Sequence, residues 1–246
     1  MLRIADKKRF IFSCIFFTLV FIMISKFDDT LMVNKKDISL LSNIVLAKNT
    51  KTSKGDVVKE NEKITIVLDA GHGGVDKGTS YDNLYEKDIN LKIVNYIKKG
   101  LEAKGFNIVL TRDKDELIPL KQIGEIANSS NAKLMVSIHI NSYKDSGVKG
   151  ITGYYYSNKS SMPKERMLLS KDIVNSICRD SSWINNGIKS QNLAVLRYSD
   201  IPCALIECGY ITNMDDREKL KDDSTLMNMA ENIASGITNY INNNNK

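Results

Sequence analysis

Histidine is scarce in this chain: only His72 and His139 occur in 246 residues. Each follows a short apolar run. Ile64-Thr65-Ile66-Val67-Leu68 leads into Asp69-Ala70-Gly71-His72-Gly73-Gly74, and Leu134-Met135-Val136-Ser137-Ile138 leads into His139. Runs of this length, rich in branched aliphatic residues, read as buried strands. A third run, Ile201-Pro202-Cys203-Ala204-Leu205-Ile206, ends in Glu207. In open α/β sheets, ligands and catalytic groups collect at the carboxyl ends of strands. Three strand ends carrying His, His and Glu therefore form a metal-site hypothesis that no one of them supports alone.

The next carboxylate of interest is Glu86. Ile89, Ile93, Val94, Ile97 and Leu101 make a helical stripe that begins just after it and stops before Gly105. Two readings stand side by side. Glu86 complements the positive helix end, worth a few tenths of a kcal/mol, or the short polar segment 75–85 folds it back beside His72 as a ligand. Two imidazoles and one carboxylate meet the three-ligand count of a catalytic zinc site, which leaves a fourth position for water. Amide hydrolysis then needs a general base. Glu207, in Ile206-Glu207-Cys208-Gly209, is the candidate, because burial raises a carboxylate's proton affinity toward neutrality. The alternative is a structural carboxylate paired with Arg197 or a lysine.

Positioning these side chains requires a scaffold of alternating strands and helices. Strands are expected at 106–111 and 133–139, an edge or hairpin strand with three consecutive tyrosines at 150–157, and a short strand at 193–196. Helices are expected at 117–130, 162–179, 213–220 and 224–241, a loop at 183–191 and a polar tail at 242–246. This rhythm predicts one α/β domain over 64–241, with a twisted, mostly parallel or mixed sheet of about six strands and helices on both faces. At 42% hydrophobic content the chain can bury one sizeable core.

The amino end is of another kind. Arg3, Lys7, Lys8 and Arg9 precede an apolar run at 10–24, the pattern of an export signal. No small-x-small cleavage site follows, so residues 1–25 read as a signal peptide or membrane anchor. Residues 26–63 read as a flexible polar tether. Residues 1–63 hold twelve Lys and Arg against seven Asp and Glu, so five of the six net positive charges fall there. The nearly neutral domain gives no basic face for nucleic acid, and the basic N-terminus suits membrane orientation instead. Cys14 lies in the apolar run, and Cys178, Cys203 and Cys208 are too few and too oddly spaced for a disulfide framework or a Cys/His zinc site.

Taken together, Leu68-Asp69-Ala70-Gly71-His72-Gly73-Gly74, Glu86 opening a helix, Val136-Ser137-Ile138-His139-Ile140-Asn141 and Pro202-Cys203-Ala204-Leu205-Ile206-Glu207-Cys208-Gly209-Tyr210-Ile211-Thr212-Asn213 resemble the zinc-dependent N-acetylmuramoyl-L-alanine amidases of bacterial cell walls. The resemblance covers essentially the whole domain. It implies Zn2+ held by His72, Glu86 and His139, with Glu207 as catalytic base, and cleavage of the amide between the lactyl group of N-acetylmuramic acid and the stem L-alanine. Asn141 and Arg197 are the expected substrate contacts. The chain departs from the pattern at Ile123, where many relatives carry arginine. It also lacks wall-binding repeats, and the loop after Asn141 has no room for an inhibitory helix. A short, membrane-tethered member resembles the sporulation and germination branch, which acts on spore cortex on the way to muramic-δ-lactam. Peptidoglycan is then the substrate, the membrane is met through the N-terminus, and an accessory protein or homodimer could complete a weak zinc site. A wall zinc peptidase and a non-catalytic peptidoglycan-binding module are the competing readings.

Overall fold

The computed structural model describes residues 63–158, 160–179 and 182–244; the expected signal or anchor and nearly all of the tether lie outside them. In chain order the elements are β1 (Thr65–Ala70), β2 (Ser80–Tyr81), β3 (Leu84–Tyr85), α1 (Glu86–Ala103), β4 (Asn107–Leu110), α2 (Leu120–Ser129), β5 (Leu134–Asn141), β6 (Ile151–Tyr155), α3 (Pro163–Cys178), β7 (Asn185–Ser190), α4 (Ala194–Arg197), β8 (Cys203–Tyr210), α5 (Met214–Lys221) and α6 (Asp223–Asn244). Six strands form one sheet in the order β4-β1-β5-β8-β6-β7, and β2 pairs with β3 in a small hairpin. β4, β1, β5 and β8 run parallel; β6 is antiparallel to β8 and parallel to β7. The sheet is mixed, as the alternating pattern implies.

The apolar runs are continuous because the central strands are covered on both faces. Ile66, Leu68, Val136, Ile138, Ala204 and Ile206 join one core with α1, α3 and α6. Their neighbours of odd number, Val67, Met135, Cys203 and Leu205, join a smaller core with α2 and α4. Each Val, Leu, Ile or Met side chain so buried contributes about 1.5–3 kcal/mol. The odd-numbered rows turn polar toward the strand ends: Asp69 stands beside Ser137, and His139 beside Glu207. The site is thus the polar end of the face covered by α2 and α4.

Four local expectations are corrected. The strand with the tyrosines is not an edge or hairpin strand; β6 lies inside the sheet between β8 and β7. The segment read as a loop at 183–191 contains β7, whose polar Asn-Asn-Gly-Ile-Lys-Ser sequence is compatible with an edge strand that needs only backbone pairing on one side. Residues 193–196 were expected as a strand, but Ala194–Arg197 is a single helical turn burying Val195 and Leu196; four residues are too few to separate a period of two from one of 3.6. α6 continues through Asn244, past the expected start of the polar tail. Among the described residues no helix is long and apolar enough to cross a membrane.

Candidate metal centre

β1 ends at Ala70, and the chain turns so that His72 adopts φ 63°. A non-glycine residue in that left-handed region costs about 1–3 kcal/mol and persists only where its surroundings hold it. The holder is Arg112, 3% exposed, which donates to the carbonyls of Ala70 (2.7 Å), Gly71 (3.2 Å) and Lys87 (2.8 Å). One guanidinium therefore fixes both the His72 loop and the first turn of α1.

Glu86 opens α1 with 3% exposure. Its Oε1 lies 3.2 Å from His72 Nε2 and 3.0 Å from His139 Nδ1. It also accepts from the Ile140 backbone N–H at 3.0 Å, and Oε2 accepts from the Thr79 N–H at 2.8 Å. One ligand atom from each of His72, Glu86 and His139 falls within 4.8 Å of the others. The two imidazoles meet nearly edge to face, centroids 5.0 Å apart at 76°. Two glycines make this convergence feasible: a Cβ on Gly71 would land on the His139 ring, and one on Gly78 would strike Glu86 Oε2 and the His72 ring. His72 Nδ1 is hydrogen-bonded to Asp76 Oδ2 at 2.8 Å, the outer carboxylate that typically orients a ligating histidine.

The field in this cluster favours positive charge on the imidazoles. The hydrogen bond to Glu86 pushes His72 up to about 9 despite burial, with Asp76 assisting. Burial disfavours the His139 imidazolium, but the Glu86 hydrogen bond and the charges of Glu207, Glu86 and Asp69 outweigh it and raise its proton affinity. Burial likewise opposes ionised Glu86, yet hydrogen bonds from both histidines hold its carboxyl well below the usual range. A divalent ion held there would meet the same electrostatic demand and displace those protons.

Glu207 stands beside His139 on β8, and burial pushes it up to about 7. Its Oε2 is buried without a hydrogen-bond partner. Arg197 donates to Asn192 Oδ1 at 2.6 Å, with its guanidinium over the Tyr198 ring. Asn141 ends β5, its side chain accepting from the Ser142 N–H at 2.8 Å. A groove of about 520 Å³ runs from His72 and His139 between Leu117, Leu120, Ile123 and Val195; Ile123 is one of its apolar walls.

Sequence reasoning missed the supporting residues. Asp76 falls in the polar segment 75–85, and its place four residues after His72 in a glycine-rich turn is the signal it offers. Arg112 was passed over where a charged residue follows the β4 run. Asp69, 1% exposed, bonds Thr111 Oγ1 (2.7 Å) and Ser137 Oγ (2.6 Å).

These features define a class: an α/β enzyme domain with a His–Glu–His group able to hold a metal ion beside a half-buried carboxylate with one unpaired oxygen. The sequence pattern of N-acetylmuramoyl-L-alanine amidases matches residues 66–239. The chain belongs to that family, and it is a peptidoglycan amidase. It is similar to the N-acetylmuramoyl-L-alanine amidase from Clostridium difficile 630 (34% identity, TM-score 0.70, covering 74% of this chain and 98% of that one). It is also similar to the CwlD amidase from Clostridioides difficile, solved in complex with the GerS lipoprotein (32% identity, TM-score 0.69, covering 74% and 100%). The endolysin of Bacillus phage SPP1 is 36% identical over 180 residues, which is 72% of this chain and 66% of the endolysin.

Proposed function

We propose that this amidase works with zinc held by His72, Glu86 and His139, that Glu207 is its catalytic base, and that its substrate is spore-cortex peptidoglycan. The observation that carries the metal reading is the meeting of both imidazoles on one Glu86 oxygen, at 3.2 and 3.0 Å; the likeness to the CwlD amidase is what favours cortex. Two imidazoles and a carboxylate are the donor set that suits catalytic zinc, and Gly71 and Gly78 leave the room those side chains occupy.

When bound, zinc supplies a Lewis acid that polarises the scissile carbonyl and acidifies water. The protein's own groups do the rest. Asp76 fixes the His72 ring so that Nε2 faces the ligand group. Glu207, at about 7, takes a proton from the attacking water and delivers it to the departing L-alanine amine. Asn141 is proposed to contact substrate at the end of β5, and Arg197 at the outer end of α4, once it releases Asn192. The basic, apolar N-terminus is proposed to carry the domain across the membrane and tether it on the outer side. The likeness to CwlD, solved with a lipoprotein, supports an accessory protein as partner, with a second copy of this chain as the other occupant of that role.

The test is digestion of purified cortex and of vegetative wall by the zinc-loaded full chain, with the products read by mass spectrometry. Intact stem peptides released preferentially from cortex are expected. Equal or greater release from vegetative wall would defeat the cortex assignment, and shortened stems would indicate a peptidase.

A further inference from the structure

With β6 inside the sheet, a second polar side chain arrives at Glu207. The antiparallel register sets Thr152 directly across from Glu207. Cross-strand partners of this kind share a face, with Cβ atoms about 4.5–5.5 Å apart. Thr152 is 0% exposed. Its Oγ1 has no hydrogen-bond partner, and neither has Glu207 Oε2. Buried polar atoms in folded proteins are nearly always paired, so two orphans on facing residues call for one explanation. Tyr154, two residues along the same face and opposite Leu205, also feels the Glu207 charge at its phenol. The ligand group does not use Thr152: Asp76, Thr79, Asn90 and the Ile140 N–H already support it.

We propose that Thr152 is a positioning residue for the base: its hydroxyl donates to Glu207 Oε2, directly or through one water, and so presents Oε1 to the attacking water. The inference rests on the reading of Glu207 as base. The proton account is simple. Glu207 Oε1 takes the proton from water and passes it to the leaving amine, while Thr152 keeps its own proton throughout. A carboxylate held at one oxygen has lost a rotation that otherwise takes the other out of line, so the gain appears in turnover rather than in substrate binding.

The experiment compares wild type, Thr152→Val, Thr152→Ser and Glu207→Gln as zinc-loaded full chains on a muramoyl-peptide. Thr152→Val is expected to lower kcat about 10-fold, equivalent to about 1.4 kcal/mol, with KM and zinc content unchanged. Its Tm should fall by a few degrees at most, because the substitution costs one hydrogen bond. Thr152→Ser should restore kcat. A high-resolution crystal structure should show Thr152 Oγ1 in hydrogen-bond contact with Glu207 Oε2 or with a water that both share. Wild-type kcat in Thr152→Val, or a kcat loss that comes with lost zinc or a larger fall in Tm, or that Thr152→Ser fails to restore, overturns the role. Wild-type kcat in Glu207→Gln overturns the base assignment itself and this role with it.

Discussion

Stripped of metal, the cluster makes a prediction that only two histidines can report. Glu86 Oε1 stands 3.2 Å from His72 Nε2, and its hydrogen bond, with help from Asp76, raises that imidazole from 6.5 to about 9. The difference of about 2.5 units corresponds to about 3 kcal/mol at about 1.36 kcal/mol per unit. The His72 side chain is 26% exposed, so solvent screening trims the figure to about 2–3 kcal/mol. The sign follows from linkage. A histidine whose folded pKa is raised contributes its full stabilisation below pH 6.5 and loses it as pH rises through about 9. NMR titration of the chelated protein reads this directly, since the chain has just two imidazoles to assign. Glu86→Gln should bring the His72 titration most of the way back toward 6.5, with Asp76 retaining part of the shift. Denaturant unfolding of metal-free wild type should weaken by about 2–3 kcal/mol from His72 across that interval, and Glu86→Gln by less, since only the Asp76 part of the shift remains. A wild-type His72 that titrates at or below 6.5 would refute the reasoning.

Further outcomes follow from the same geometry. Glu207→Gln should keep stoichiometric zinc, measured by mass spectrometry of the metal, and lose about 10²–10⁴ of kcat, whereas His72→Ala should lose both metal and turnover. Because Glu207 acts as a carboxylate and burial pushes it to about 7, kcat/KM should fall as pH drops through about 7. A nearby cation moves that limb lower, so the profile is followed down to about pH 4, the ordinary carboxylate range, and flatness over that whole range would remove Glu207 from the role. Gly78→Ala sets a Cβ against Glu86 and the His72 ring at a backbone φ of 63°; its zinc affinity, by competition with a chromophoric chelator, should drop at least about 10-fold, and wild-type affinity would show that the cradle yields.

What the sequence disclosed depended on where the signal was local. His72, His139 and Glu207 were legible because each ends or nearly ends an apolar run, and the strand rule gives such positions chemical meaning. Glu86 was legible as the start of α1, but its approach to His72 rests on the turn through Gly78 and on the Arg112 clamp, contacts between residues about 25 and 42 positions apart that no spacing announces. The sheet's parallel half was foreseen from its branched aliphatic runs. β7 was not, because a polar edge strand has no apolar alternation to display, and the interior place of β6 depends on which neighbour it pairs with rather than on its own residues. Thr152 became notable only through that pairing.

X-ray absorption on the zinc-loaded full chain addresses the central claim most directly. The account predicts one zinc per chain, bound by two imidazole nitrogens and a carboxylate oxygen at about 2.0–2.2 Å, with that signature lost in His72→Ala and in His139→Ala. Sulfur scattering at about 2.3 Å, or zinc that both variants retain unchanged, would contradict it.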